Sequence, residues 1–211
     1  MTKNKSRSIY FNVFLLYVGI MFIITFLQQE YVILPEIQSV DIWGEETWAQ
    51  FLEKYQKLRW LGYIFSPLLL AIRICLVSVC FLLGSYFFPE MSGKKFKDWL
   101  DISVLSQSVL VTYSIFLCVF NISVEPNQAM AVSKHISLLF LANDSADQWI
   151  KIPLTALNVF EIAYWFMLAI LVSKSNGTKF GYSFKFVMST YGIGYLFYIV
   201  LMMFVVLYFG N

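Results

Sequence analysis

Charge is scarce in this chain. Asp, Glu, Lys and Arg together make up 13% of its 211 residues, about half the share usual for a soluble domain. So little polar surface cannot clothe a soluble globule of this length, which excludes a soluble enzyme and a disordered chain. Cysteine is limited to Cys75, Cys80 and Cys118, all in apolar stretches. An odd count without ligand spacing excludes a disulfide scaffold and a thiolate metal site, and the three are read as small hydrophobes. The single histidine, His135, has no Cys or carboxylate at ligand spacing and is read as a polar residue of the membrane interface. The sequence has no HExxH, GxSxG, CxxC, P-loop or dinucleotide fingerprint, each of which carries a defined chemistry. Nor has it the basic patch that nucleic-acid binding needs. The expectation is therefore no catalytic residues, no metal, no cofactor, no nucleotide and no nucleic-acid partner.

What the chain has is apolar length. Hydrophobic residues reach 59% and aromatics 19%, with 21 Phe and 13 Tyr. Five stretches stand out, at about 9–27, 61–88, 102–124, 152–172 and 186–209. Each approaches or exceeds the ~20 residues that cross a bilayer core as a helix. They are continuously apolar, whereas barrel strands alternate over about 10 positions. The fold class expected is all-α, a single polytopic membrane domain over 1–211 with five transmembrane helices. The first stretch follows Lys3, Lys5 and Arg7, as a signal peptide would. It outruns the usual 7–15-residue apolar region, and no small-residue cleavage pattern follows, so it is read as a retained span.

Basic residues orient the spans. The N-terminus, the second-to-third loop and the fourth-to-fifth loop carry nine, including Lys94, Lys95, Lys97, Lys174, Lys179 and Lys185. The opposite side carries five over longer loops: Lys54, Lys57, Arg59, Lys134 and Lys151. The side richer in Lys and Arg is cytoplasmic, which places the N-terminus inside and the C-terminus outside. The Phe, Ile and Lys usage suits a bacterium, hence an inner membrane.

The first outer loop has its own periodicity. Trp48, Phe51, Leu52, Tyr55 and Leu58 fall at helical spacing, with Glu and Lys on the other face. This predicts an amphipathic helix over about 45–59, either lying in the membrane interface or docking a partner.

Two ionisable residues fall inside apolar stretches, Arg73 and Glu161. Such residues usually pair or face water, because a lone charge at mid-bilayer costs about 2.5 kcal/mol or more. Ser66-Pro67 and Ile152-Pro153 read as helix starts, which sets Arg73 roughly 9 Å and Glu161 roughly 12 Å below the outer surface. The two can form an intramembrane ion pair, serve a proton or ion site, or snorkel. In the third stretch Ser103, Ser106, Gln107 and Ser114 form a polar stripe at helical spacing. It serves either interhelical hydrogen bonds or a polar substrate path.

From Leu157 to Phe204 the chain resembles the Yip family of five-span membrane proteins, in its bacterial branch. The resemblance rests on Leu157-Asn158-Val159-Phe160 opening the fourth span, with Tyr164 and Trp165 as its aromatics. A short basic loop with Gly177 and Thr178 follows, then a last span of small and aromatic residues. KKFKDWLDISVLSQSV, from Lys94, resembles the family's entry to the third span. Asp41-Ile42-Trp43-Gly44 is like an Asp-aliphatic-Trp-Gly-Pro element of eukaryotic members, but Glu45 replaces the proline, so Rab-GTPase binding is not carried over. The resemblance implies an integral protein without catalysis that partners other membrane proteins. Two functions follow as expectations. One is a non-enzymatic subunit or accessory protein of a membrane complex, in contact with the lipid bilayer and other integral membrane proteins. The alternative is a small transporter or channel component that uses the polar intramembrane residues.

Overall fold

The computed structural model describes residues 3–34, 45–123, 136–141 and 147–209. His135 and the 41–44 element lie outside the described residues. Those described form helices and no strand, apart from one isolated bridge between Ser137 and Asn158. Helix α1 (Lys3–Gln28) runs into a π-helical turn at Gln29–Ile33. Helix α2 is Glu45–Ser85, α3 Phe96–Ser106 and α4 Ser108–Ser123. Helix α5 (Gln148–Ala156) precedes α6 (Val159–Asn176). A second π-helical turn, Met188–Gly192, joins α7 (Phe180–Val187) to α8 (Ile193–Phe209).

Among the described residues four helical stretches are long and apolar enough to cross a membrane: Ile9–Ile33, Glu53–Ser85, Phe96–Ser123 and Phe180–Phe209. They match the first, second, third and fifth apolar runs of the sequence. The fourth run, 152–172, is not one helix. It is interrupted at Leu157 and Asn158, both in extended or non-helical backbone. The backbone groups freed there find partners: Leu157 O accepts from Leu138 N at 3.1 Å, and Ala156 O accepts from the Tyr195 hydroxyl at 2.9 Å. Such partners are what a break in an apolar helical stretch requires, since buried backbone groups are costly to leave unpaired.

Both expected helix starts at proline are corrected. Pro67 lies inside α2 and Pro153 inside α5. A proline within a membrane helix is tolerated where neighbouring groups re-satisfy the backbone it frees, and here apolar sequence continues on both sides of it. The depth arithmetic built on those starts falls with them, since Glu161 lies in the first turn of α6. The amphipathic segment 45–59, with Trp48, Phe51, Leu52 and Tyr55, is helical but is the first part of α2 and not a separate element.

The chain divides into two units. The first comprises Met1–Arg73 and Val111–Pro126, the second Ile74–Leu110 and Asn127–Asn211. In the first, the π-helical turn after α1 carries two polar residues to α2. Gln29 Nε2 donates to Arg59 O at 3.0 Å, and Arg59 Nη1 lies 2.8 Å from Glu30 Oε1. Gly62 makes room for this, because a Cβ there would stand 2.6 Å from Gln29 Nε2. The buried Cys118 thiol donates to Ile24 O at 3.9 Å.

The second unit holds the larger core, built from Val77, Phe81, Trp99, Leu168, Phe186 and their neighbours. Phe81, Trp99 and Phe186 pack with ring centroids 5.3–5.5 Å apart, within the range where aromatic pairs add stability beyond their area. Lys94 caps this cluster from the loop side, 5.6 Å from the Trp99 ring and bonded to Ser175. Burial lowers the pKa of its ammonium below the ordinary lysine value, with Asp98 opposing.

Candidate functional site

Two buried polar residues of the second unit, Glu161 and Gln107, lie where helices are interrupted. Asn158 ends the break between α5 and α6 as an N-cap, its Oδ1 accepting from Glu161 N at 2.8 Å. A short polar side chain followed by an apolar run is the local signal that starts α6 here. Glu161 therefore sits at the positive end of the helix dipole, where a carboxyl group is favoured. Its side chain is buried, at 2% exposure. Two donors converge on Oε1: the Tyr191 hydroxyl at 2.7 Å and Trp165 Nε1 at 3.1 Å. Trp165 reaches it from one turn further along α6. Tyr191 reaches it from the π-helical turn Met188–Gly192, whose extra residue re-aims that turn.

Gln107 marks the second interruption, between α3 and α4. It caps α3, and its side chain is fully buried. Its Nε2 donates to the Tyr164 hydroxyl at 3.0 Å, while its Oε1 is buried without a hydrogen-bond donor. The Tyr164 and Tyr191 rings meet edge to face at 5.6 Å. Gln107 and Glu161 thus flank one pair of tyrosines inside the second unit.

The serines nearby serve their own helices. Ser103 Oγ donates to Trp99 O at 2.8 Å, and Ser106 Oγ to Ser103 O at 2.8 Å. Ser78 Oγ lies 2.7 Å from Ile74 O and 3.0 Å from Ser103 Oγ, so one proton is shared between a turn of α2 and the face of α3. Of the polar stripe, Ser103, Ser106 and Gln107 lie together in the second unit. Ser114 lies half-buried in the first. Arg73 closes the first unit along α2 and Glu161 belongs to the second. Their pairing stands as a sequence-based expectation.

Sequence reasoning took Tyr164 and Trp165 as family aromatics and passed over Tyr191. The four-residue spacing of Glu161 and Trp165 was a usable signal, since such residues share a helix face. Nothing local points from Tyr191 to Glu161, thirty positions away. The Glu30–Arg59 pair was missed as well, although opposite charges flank the facing ends of the first two spans. Among the described residues no cluster of three His, Cys, Asp or Glu could hold a metal ion. The arrangement can hold a carboxyl group and an amide in place and offer a buried acceptor. No family model matches the chain, and no curated protein or solved structure matches it.

Proposed function

We propose that this chain is a non-enzymatic integral membrane subunit or accessory protein of a larger membrane complex. The observation that carries the reading is how little of its outer spans the chain covers itself. In Ile9–Ile33 and in Phe180–Phe209 only 11% of the apolar window is buried, against 39% in each of the two middle stretches. Such faces need lipid or the helices of other proteins, and helix association in a bilayer is driven by packing and interhelical hydrogen bonds. The resemblance of residues 157–204 to the Yip family agrees with this role. We take the broken stretch 152–172 as a crossing as well, the fourth of five in chain order. With the Lys and Arg bias, that puts the N-terminus in the cytoplasm and the C-terminus outside, in a bacterial inner membrane. Gentle detergent extraction followed by mass spectrometry tests the proposal. A stoichiometric integral partner is expected.

A second reading, a small transporter or channel component, is favoured by one observation: the buried Gln107 Oε1 without a donor, beside tyrosines that also hold a buried carboxyl group. Intramembrane polar groups often mark transport pathways. A lone chain that changes ion flux in liposomes would replace the subunit proposal with this one.

A further inference from the structure

The loop between α2 and α3 and the loop between α6 and α7 are pinned side by side at one end of the second unit. Asn176 Nδ2 donates to Met91 Sδ at 3.0 Å, and the Lys94 ammonium donates to Ser175 O at 3.1 Å. The Phe88 and Tyr182 rings meet edge to face at 5.9 Å. Gly93, at φ +90°, and Gly177, at φ +67°, make the turns, a backbone region where a side chain would be strained. What these loops carry is therefore held in a fixed arrangement.

They carry positive charge. Lys94 is half-buried, and Lys95, Lys97, Lys174, Lys179 and Lys185 are exposed. Against the carboxylates nearby in sequence, Glu90, Asp98 and Asp101, that leaves a net charge of +3. Asp98 is already committed, accepting from Lys95 N at 3.0 Å. Among the described residues no ion pair reaches Lys97, Lys174, Lys179 or Lys185. Lys95 and Lys179 are the N-caps of α3 and α7, where the helix dipole disfavours a cation. Local stability therefore does not account for them. A loop that only marks the inner side of a membrane needs lysines in number, but not gathered onto two pinned loops. Like charges held together repel, and opposite charge from outside the chain relieves that cost. Tyr86 and Phe87 begin the same α2–α3 loop, 78% and 83% exposed. Large rings beside unpaired charge have the anatomy of a protein contact, in which aromatic anchors carry the energy and the charged rim steers and selects.

We propose that this end of the second unit docks an acidic segment of a partner protein, with Tyr86 and Phe87 as anchors and Lys97, Lys174, Lys179 and Lys185 pairing its carboxylates. The inference rests on the subunit reading and gives that partner its chemistry.

The test titrates the full-length protein, in phosphatidylcholine nanodiscs, with a fluorescent poly-glutamate peptide. Both membrane faces are accessible there, so a variant that inserts the other way round is read equally well. Fluorescence anisotropy at about 0.15 M salt, where the Debye length is about 8 Å, should show saturable binding. Lys97→Gln, Lys174→Gln and Lys179→Gln together should weaken it about tenfold, about twofold for each exposed ion pair lost. The same three positions changed to Arg should preserve it. Lys54→Gln with Lys57→Gln, at exposed lysines of the first unit, should leave it unchanged. The partner that co-purifies with the unaltered chain should be lost from the triple Gln variant and from Tyr86→Ser with Phe87→Ser. No peptide binding would overturn the proposal, as would equal weakening by the Lys54 and Lys57 changes. Retention of phosphatidylglycerol over phosphatidylcholine that vanishes in the triple Gln variant, without peptide binding, would replace the protein partner with lipid headgroups. A partner kept by both variants would remove this inference and leave the subunit reading standing. Absence of any partner from the unaltered chain counts against the subunit reading alone, because the peptide measurement stands without it.

Discussion

Gly84 and Tyr191 carry structural roles that can be separated by single substitutions. A Cβ at Gly84 would overlap Thr190 Cγ2 and stand 3.0 Å from Thr190 Cβ. Thr190 cannot readily turn away, because its hydroxyl donates to Phe186 O at 2.7 Å. Gly84→Ala should therefore force α2 from the π-helical turn at a cost of about 1–3 kcal/mol, the usual range for overpacking. Thr190→Ala in the same chain should restore much of the loss, read as the thermal midpoint in detergent. Tyr191→Phe keeps the ring against Tyr164 but removes the hydroxyl from Glu161. Losing a buried hydrogen bond costs about 0.5–1.5 kcal/mol, so its midpoint should fall, whereas Glu30→Gln, at a partly exposed pair, should move it little. These contacts were illegible in the sequence. Gly84 sits in an ordinary apolar run, and what it meets is set by a turn a hundred residues later. Glu161 itself was legible, because a carboxyl group inside an apolar run always needs an explanation.

At the level of elements, α2 is the informative case. Its 41 residues extend about 61 Å at 1.5 Å per residue, twice the ~30 Å hydrocarbon core. Roughly half of it must stand outside that core, and the charged face of its first turns is where the sequence placed an outer amphipathic segment. The helical spacing of Trp48, Phe51 and Tyr55 was readable, while the continuity through Pro67 was not, because proline after serine is also a helix start. Replacing Trp48, Phe51 and Tyr55 together with Ser should leave insertion and partner co-purification unchanged if the segment meets only lipid. Loss of the partner from a chain that still inserts would make it a docking face. Arg73 on α2 and Glu161 on α6 give a second test between elements. We propose, on the sequence alone, that they pair. Removing one partner of a buried pair costs about 3–5 kcal/mol in soluble proteins. Arg73→Ala and Glu161→Ala should each lower folded yield, and the double variant should recover part of it. Additive losses would mean that each has its own partner.

At the level of the whole molecule, the number of crossings decides the account. Periodicity and length placed the four long helices, because apolar runs of that length have few other solutions. They could not place the break at Leu157 and Asn158, since that stretch is as apolar as its neighbours and only a short N-capping residue marks it. Among the described residues four helices are long and apolar enough to span a membrane; a crossing at 152–172 depends on α5 and α6 spanning together despite the break. Reporter fusions after Met91 and after Asn211 measure this directly, with one reporter active only in the cytoplasm and one only outside. The account predicts a cytoplasmic signal at Met91 and an external signal at Asn211. A cytoplasmic signal at Asn211 would contradict it, leaving an even number of crossings and the broken stretch on one side of the membrane.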